Sequence, residues 1–258
     1  MHDLTKHLQL ILKRNEKLFI PYIMAGDGGL DSLQEKIAYL ERVGASAIEI
    51  GVPFSDPVAD GPTIQNAGIR ALQNGTTLTG VIEKLKEIQD GISVPIILMS
   101  YLNPIVVYGI EQFSKDIIEA GVSGLIVPDM PQEESGLLES IVRSEEICLI
   151  QLVSLTSPNE RLEKLATQSQ GFLYAVTVTG ITGERRTFTP RVFDFLDRLK
   201  SISPVPVLAG FGISSREQMD EMNERCDGVI VGSKIVQSFH EETLSEIDQF
   251  SPRQKMKS

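Results

Sequence analysis

The run Ala47–Gln65, AIEIGVPFSDPVADGPTIQ, sets a carboxylate, Glu49, inside a strand-like apolar stretch and follows it with Asp56, Asp60 and three prolines. An ionised carboxyl taken out of water without a partner is costly, so such a group is paired, neutralised or held at a wet cleft. Two readings are open at this point. One is a structural Glu tied to an Arg or Tyr inside the fold; the other is a general acid/base whose pKa rises in its apolar setting. Asp56 and Asp60 follow seven and eleven residues later, in a Pro- and Gly-rich loop too stiff to be a mere spacer. Each Asp alone also suits a turn.

A second constellation is glycine. TGITGER (179–185), AGFGIS (209–214) and VGSKIV (231–236) place glycine at or just beyond the ends of apolar runs, with Ser214 and Ser233 at expected helix starts. Bare N–H groups beside a helix N-terminus bind phosphate oxygens, so these loops predict a phosphorylated substrate; turn glycines are the plain alternative. Absent residue types narrow the chemistry. Lys17 precedes the first apolar run and Lys234 falls inside the last expected helix, so no strand ends in a Schiff-base lysine. His2, His7 and His240 lie near the termini, and Cys148 and Cys226 are far apart, so no metal-ligand or redox spacing exists and no metal is expected. No dinucleotide fingerprint or P-loop occurs. If a bond breaks here, the substrate supplies its own electron sink and a carboxylate shuttles the protons.

The elements that must hold these residues alternate along the chain. Strand-like runs fall at 18–25, 46–52, 94–101, 124–129, 148–154, 172–178, 206–212 and 228–233. Helix-period segments lie between them, such as Leu30–Val43, Leu78–Gln89, Ile110–Ala120, Ser135–Arg143 and Arg216–Glu224. Strict β–α alternation calls for a parallel sheet, and eight repeats in 258 residues fit a single-domain α/β fold, a (β/α)8 TIM barrel; a doubly wound sheet is the alternative. Four strand entries echo one another: VGASAIEIG, AGVSGLIVP, QSQGFLYAV and RCDGVIVGS. The amphipathic segment Asp3–Leu12 is expected to cap the barrel's N-terminal end, with the domain at 1–250 and a fraying tail at 251–258. A net charge of −11 disfavours nucleic acid and anionic membranes, and no apolar run is long enough to span a bilayer. The N-terminus lacks the features of a signal peptide, which predicts a cytoplasmic address.

Seven segments in chain order, FIPYIMAGD, IEIGVPFSDPVADGPTIQ, MSYLNPI, GLIVPDMPQEE, TGITG, AGFGIS and GVIVGS, closely resemble the tryptophan synthase alpha-chain family. GVPFSDPVADGP is the specific one; AGFGIS and GVIVGS are shared by many phosphate-binding barrels. The resemblance implies a lyase that cleaves indole-3-glycerol phosphate to indole and glyceraldehyde 3-phosphate. It also implies no cofactor in this chain, and a beta-chain partner, carrying pyridoxal phosphate, in an α2β2 complex. Carried over, Glu49 matches the catalytic acid/base, Asp60 the group that holds the indole N–H, and Tyr174 a tyrosine beside the substrate. Gly183, Gly212, Gly232 and Ser233 match the phosphate shell, and Thr182 the loop threonine that meets Asp60 on closure. Tyr22, Met99 and Phe211 are expected to line the indole pocket, although the family often has Phe or Leu at the first two. Gly28 and Thr177 also depart from the family pattern, where Pro and Ser are common.

The loops PFSDP, NPIVVYG and DMPQEE mix proline, apolar and acidic groups, which predicts a docking face around Pro53, Asp56, Asn103 and Pro131. The family implies that this face meets the beta chain. A plainer reading buries Ile105–Tyr108 against the barrel. VTGITGERRTF (178–188) reads as a lid. Two other functions stay open: a non-catalytic activating subunit, and another phosphosugar isomerase or synthase, which would want a strand-end Lys or second acid.

Overall fold

The computed structural model describes residues 3–138, 141, 146–177, 188–210 and 212–252. Nine strand segments form one parallel sheet: β1 (Leu18–Met24), β2 (Ile48–Gly51), β3 (Ile96–Met99), β4 (Val122–Ile126), β5 (Cys148–Leu149), β6 (Gln151–Ser154), β7 (Leu173–Val176), β8 (Val207–Gly210) and β9 (Gly228–Val231). Their order is β5-β4-β3-β2-β1-β9-β8-β7-β6. The two end segments, β5 and β6, are separated only by Ile150, whose N–H donates to the Leu125 carbonyl at 2.9 Å. They are halves of the single expected strand at 148–154, one pairing with β4 and the other with β7. The sheet therefore closes on itself as an eight-stranded barrel, and the doubly wound alternative falls.

Period-two alternation splits the core into two layers. Leu18, Ile20, Tyr22 and Met24 of β1 join Ile97, Met99, Tyr174, Leu208 and Ile230 inside the barrel. Phe19, Ile23, Ile48, Ile50 and Leu98 turn outward against the helices. Those helices are α1 (Asp3–Leu12), α2 (Leu33–Val43), α3 (Pro62–Gln73), α4 (Leu78–Ile88), α5 (Leu102–Tyr108), α6 (Ile110–Glu119), α7 (Asn159–Gln168), α8 (Pro190–Ile202), α9 (Arg216–Asn223), α10 (Ser233–His240) and α11 (Ser245–Asp248). Of the expected helix at Ser135–Arg143, the described residues show a 3-10 segment, Gln132–Leu138, and then Ile141 in α-helix.

Helix α1 plugs the N-terminal end of the barrel. Leu4 and Leu8 reach the interior layer, and Thr5 Oγ1 accepts the Gly171 N–H at 2.9 Å. Gly171 is required there: its φ is +67°, and a Cβ would stand 2.7 Å from Ile150 Cδ1. The opposite end, where strands run into the loops after them, is left for chemistry. At the C-terminus, Phe250 is buried and stacks on Phe19, and Arg216 donates to the Ser251 carbonyl at 2.9 Å. Order thus extends to the start of the expected tail; residues 253–258 lie outside the described ones.

Candidate active site

Glu49 lies on β2 between Ile48 and Ile50, and because both of those face the helices, it points into the barrel. Its register neighbours are Tyr22 on β1 and Ile97 on β3. It is 2% exposed, and its Oε2 is buried with no hydrogen-bond partner among the described residues. Burial, helped by the negative charge of Asp60, pushes its pKa up to about 8. Nothing among the described residues pairs with that oxygen, as a structural Glu would require, and the raised pKa holds the group mostly protonated at neutral pH.

Asp60 arrives from the loop between β2 and α3. Turns fix this loop: Val58 N–H donates to the Asp56 carbonyl at 2.9 Å, and Asp60 N–H to the Pro57 carbonyl at 3.1 Å. Pro62 then opens α3 at a position where its missing N–H costs nothing. Gln65 Nε2 ties the helix back to the Asp60 carbonyl at 2.9 Å. Burial raises the Asp60 pKa to about 6, against the neighbouring Tyr101 hydroxyl, which lowers it. The same hydroxyl accepts the Ala59 N–H at 3.0 Å, and the Tyr101 ring packs on Phe54 at 5.2 Å between centroids.

Tyr22 and Tyr174 complete the pocket. Both are buried, and burial together with the charges of Glu49 and Asp60 drives their pKa values well above the usual range. Two glycines make room for them. A Cβ on Gly51 would stand 1.9 Å from Tyr22 Oη, and one on Gly210 would stand 2.3 Å from the Tyr174 ring. Met99 ends β3 on the same interior face.

At the other side of the mouth, Gly212 is exposed with φ +80°. Gly232 and Ser233 open α10 with no side chain capping its first N–H groups. Such an end favours an anion. Ser214 differs from expectation: the cap of α9 is Ser215, and the Ser214 N–H is already used by Gln218 Oε1 at 2.8 Å. Thr182, Gly183, Phe211 and all of the expected 178–188 lid except Phe188 lie outside the described residues.

On the expected partner face, Asp56, Asn103 and Pro131 are exposed, whereas Pro53 is buried within the chain itself. Ile105 is fully buried, yet Val106 and Val107 of α5 are 50% and 79% exposed. The burial reading for that run thus holds for Ile105 and fails for its two valine neighbours. No group of three or more metal-ligating side chains occurs among the described residues, and no helix among them is long and apolar enough to cross a membrane.

The family model for the tryptophan synthase alpha chain matches residues 8–257. This chain belongs to the tryptophan synthase alpha-chain family. It is 48% identical to the tryptophan synthase alpha chain of Bacillus cereus (strain ATCC 10987 / NRS 248) over 253 residues, 98% of each chain. It is 51% identical to that of Bacillus mycoides (strain KBAB4) over 235 residues, 91% of each. A chain of Mycobacterium tuberculosis tryptophan synthase superposes with TM-score 0.88 at 31% identity, covering 97% of this chain and 96% of that one. Alpha chains of this family are lyases that cleave indole-3-glycerol phosphate in tryptophan biosynthesis, and they pair with the beta chain, to which the pyridoxal phosphate belongs. Sequence reasoning missed Gly51, Gly210 and Tyr101 as site residues. Strand parity was a usable signal for the glycines, since Gly51 lies two positions beyond Glu49; Tyr101 had none, because its partners come from another loop.

Proposed function

We propose that Glu49 and Asp60 divide the work of a retro-aldol cleavage of indole-3-glycerol phosphate between an acid and an anion. The observation that carries this is the split between two neighbouring buried carboxyls, about 8 for Glu49 and about 6 for Asp60. At neutral pH the first is mostly protonated and the second mostly ionised, the pattern that assigns acid and base roles. Protonated Glu49 delivers its proton to indole C3. The ring becomes cationic, and the Asp60 carboxylate stabilises it at the ring N–H. The C3–C1′ bond then breaks, its electron pair restores the aromatic indole, and the C1′ hydroxyl loses its proton to become the aldehyde. Glu49, ionised by the first transfer, is available to take that proton.

Tyr22, Met99, Tyr174 and Phe211 line the indole, and Gly183, Gly212, Gly232 and Ser233 hold the phosphate. Thr182 meets Asp60 when the site closes. Asp56, Asn103 and Pro131 face the beta chain, while Pro53 sets the course of the loop. The barrel domain spans 1–250, and the chain works in the cytoplasm. Incubation with indole-3-glycerol phosphate, following indole release across pH with and without a beta chain, tests the catalytic assignment. The expected kcat/KM profile is a bell with limbs near 6 and 8, since Asp60 must be ionised and Glu49 protonated. A rate that climbs steadily through pH 9 would remove Glu49 as the acid.

A further inference from the structure

We propose that Gln218 is a positioning residue for the substrate's phosphate, its buried amide holding the loop after β8 in the form that presents Gly212 to the phosphate oxygens. This rests on the phosphate role given to Gly212 above. Gln218 lies in the first turn of α9 and is 7% exposed. Its Oε1 accepts the Ser214 N–H at 2.8 Å and the Ser214 hydroxyl at 3.1 Å. A backbone N–H can only donate, so that end of the amide is fixed as the oxygen. The loop is held from its other side too. Thr177, just past β7, donates its N–H at 3.1 Å and its hydroxyl at 2.8 Å to the Gly210 carbonyl. Gly212 stands between these two anchors, exposed and with φ +80°, a conformation that a residue with a Cβ rarely adopts.

The helix start alone does not need this contact. Ser215 caps α9, its hydroxyl accepting the Gln218 N–H at 3.4 Å, and a Ser followed three residues later by Gln is the pattern of a reciprocal cap. In that pattern the Gln side chain returns to the N–H of the capping serine itself. Here it reaches one residue further, to Ser214, and so ties down the loop. Ile213, between Gly212 and Ser214, is buried, so both residues that follow Gly212 are fixed. Burying a Gln costs side-chain freedom and solvation, which two hydrogen bonds to one loop residue offset. A preformed loop spares the phosphate the cost of ordering it. Releasing Ser214 should therefore weaken the phosphate contact and leave the indole end of the pocket alone.

The test is Gln218→Met in the full chain, which keeps the bulk of the side chain and removes its acceptor. KM for indole-3-glycerol phosphate should rise about tenfold with kcat within about twofold of the parent, as expected if the competent loop falls to about a tenth of the population. Glycerol 3-phosphate should protect the variant against heat correspondingly less well than it protects the parent. With indole-3-glycerol, the same substrate without its phosphate, kcat/KM should match the parent's; a merely structural loss would lower both substrates alike. Ser215→Ala, which weakens the start of α9 and leaves the Ser214 bonds in place, should keep the parent's KM. An unchanged KM in Gln218→Met, an equal loss with both substrates, or as large a KM rise in Ser215→Ala overturns the inference. Gly212→Asp separates it from the reading it rests on. If Gly212→Asp raises KM and Gln218→Met does not, only Gln218 is misassigned; if neither moves KM, the phosphate role of Gly212 falls and Gln218 with it. If Gln218→Met does not fold, Ser214→Ala removes one of the two bonds, and a KM rise of about two- to threefold is expected from the loss of one hydrogen bond; no rise there overturns the proposal.

Discussion

At the residue scale, Glu49 combines its proposed role as the acid with a stability cost. Its folded-state pKa, about 8, lies far above the ordinary 4.5, so the folded chain binds this proton more tightly than the unfolded chain does. Below about pH 4.5 both states are protonated and the group costs nothing; the penalty grows between those values and is complete above about 8. Glu49→Gln should therefore leave the melting temperature nearly unchanged at pH 5 and raise it at pH 8.5. The same change should reduce lyase kcat by roughly 10²–10⁴-fold, the usual worth of a general acid. Thermal melts at the two pH values, beside indole release, check both halves; retention of half the activity would end the proton-transfer role.

Steric fit at the same scale makes a second prediction. A methyl on Gly51 would stand 1.9 Å from Tyr22 Oη and 2.5 Å from the ring carbon bearing it, and the ring is buried. Gly51→Ala should displace Tyr22 and lower kcat/KM at least tenfold, given how tightly such interiors are packed. Adding Tyr22→Leu to Gly51→Ala should recover melting temperature relative to the single variant. Equal stabilities of the single and double variants would show that the clash is absorbed elsewhere.

At the scale of elements, the critical piece is α3, which begins two residues after Asp60. Its Arg70 grips Asp27, in the loop after β1, through two hydrogen bonds of 2.7 Å. Asp27 is only 7% exposed, and Asn74 Nδ2 adds a bond to the Gly26 carbonyl at 3.0 Å. The β1 loop and α3 thus move as one body, and the Asp60 loop is anchored at its far end. Removing one partner of a buried pair typically costs about 3–5 kcal/mol. Lys36, whose ammonium bonds the Asp27 carbonyl, stays close to the carboxylate and should hold the loss near the low end. Arg70→Met should accordingly lower stability by about 3 kcal/mol and reduce kcat/KM, because Asp60 loses its anchor. Denaturant titration and steady-state kinetics read the two effects; a destabilised variant with unchanged kcat/KM would confine Arg70 to folding.

At the scale of the whole molecule, the proposed docking face and the proposed catalytic carboxyls share one rim of the barrel. Asp56 is exposed four positions before Asp60, and Val106 and Val107 stand exposed on the next loop's helix. An exposed apolar pair beside an unburied carboxylate suits a partner with an apolar patch and a cation. Asp56→Ala should lower activation by the beta chain more than it lowers the slow rate of the free chain. Both rates belong at one fixed salt concentration, since a rim ion pair is screened. If they fall by the same factor, Asp56 serves the active site alone.

What the sequence determined by itself was the alternation of apolar runs and amphipathic segments, and hence a parallel sheet with a barrel as its expected form; closure was decided by strand 148–154 pairing on both sides. Local periodicity encodes which face of each strand is buried, so the barrel, its plug at Asp3–Leu12 and the inward turn of Glu49 were legible from neighbours in the chain. The family motifs added the partner and the reaction. Tertiary structure alone decided whether Glu49 had a buried partner, because that depends on what other strands bring to its level, and the described residues bring none to Oε2. It also decided that strand 148–154 breaks at Ile150, that Pro53 turns inward, and that Ser215 rather than Ser214 caps its helix. The roles of Tyr101, Gly51 and Gly210 belong to the same class. Each is set by an atom from a different loop or strand arriving within a few ångströms, and no local pattern records such an encounter.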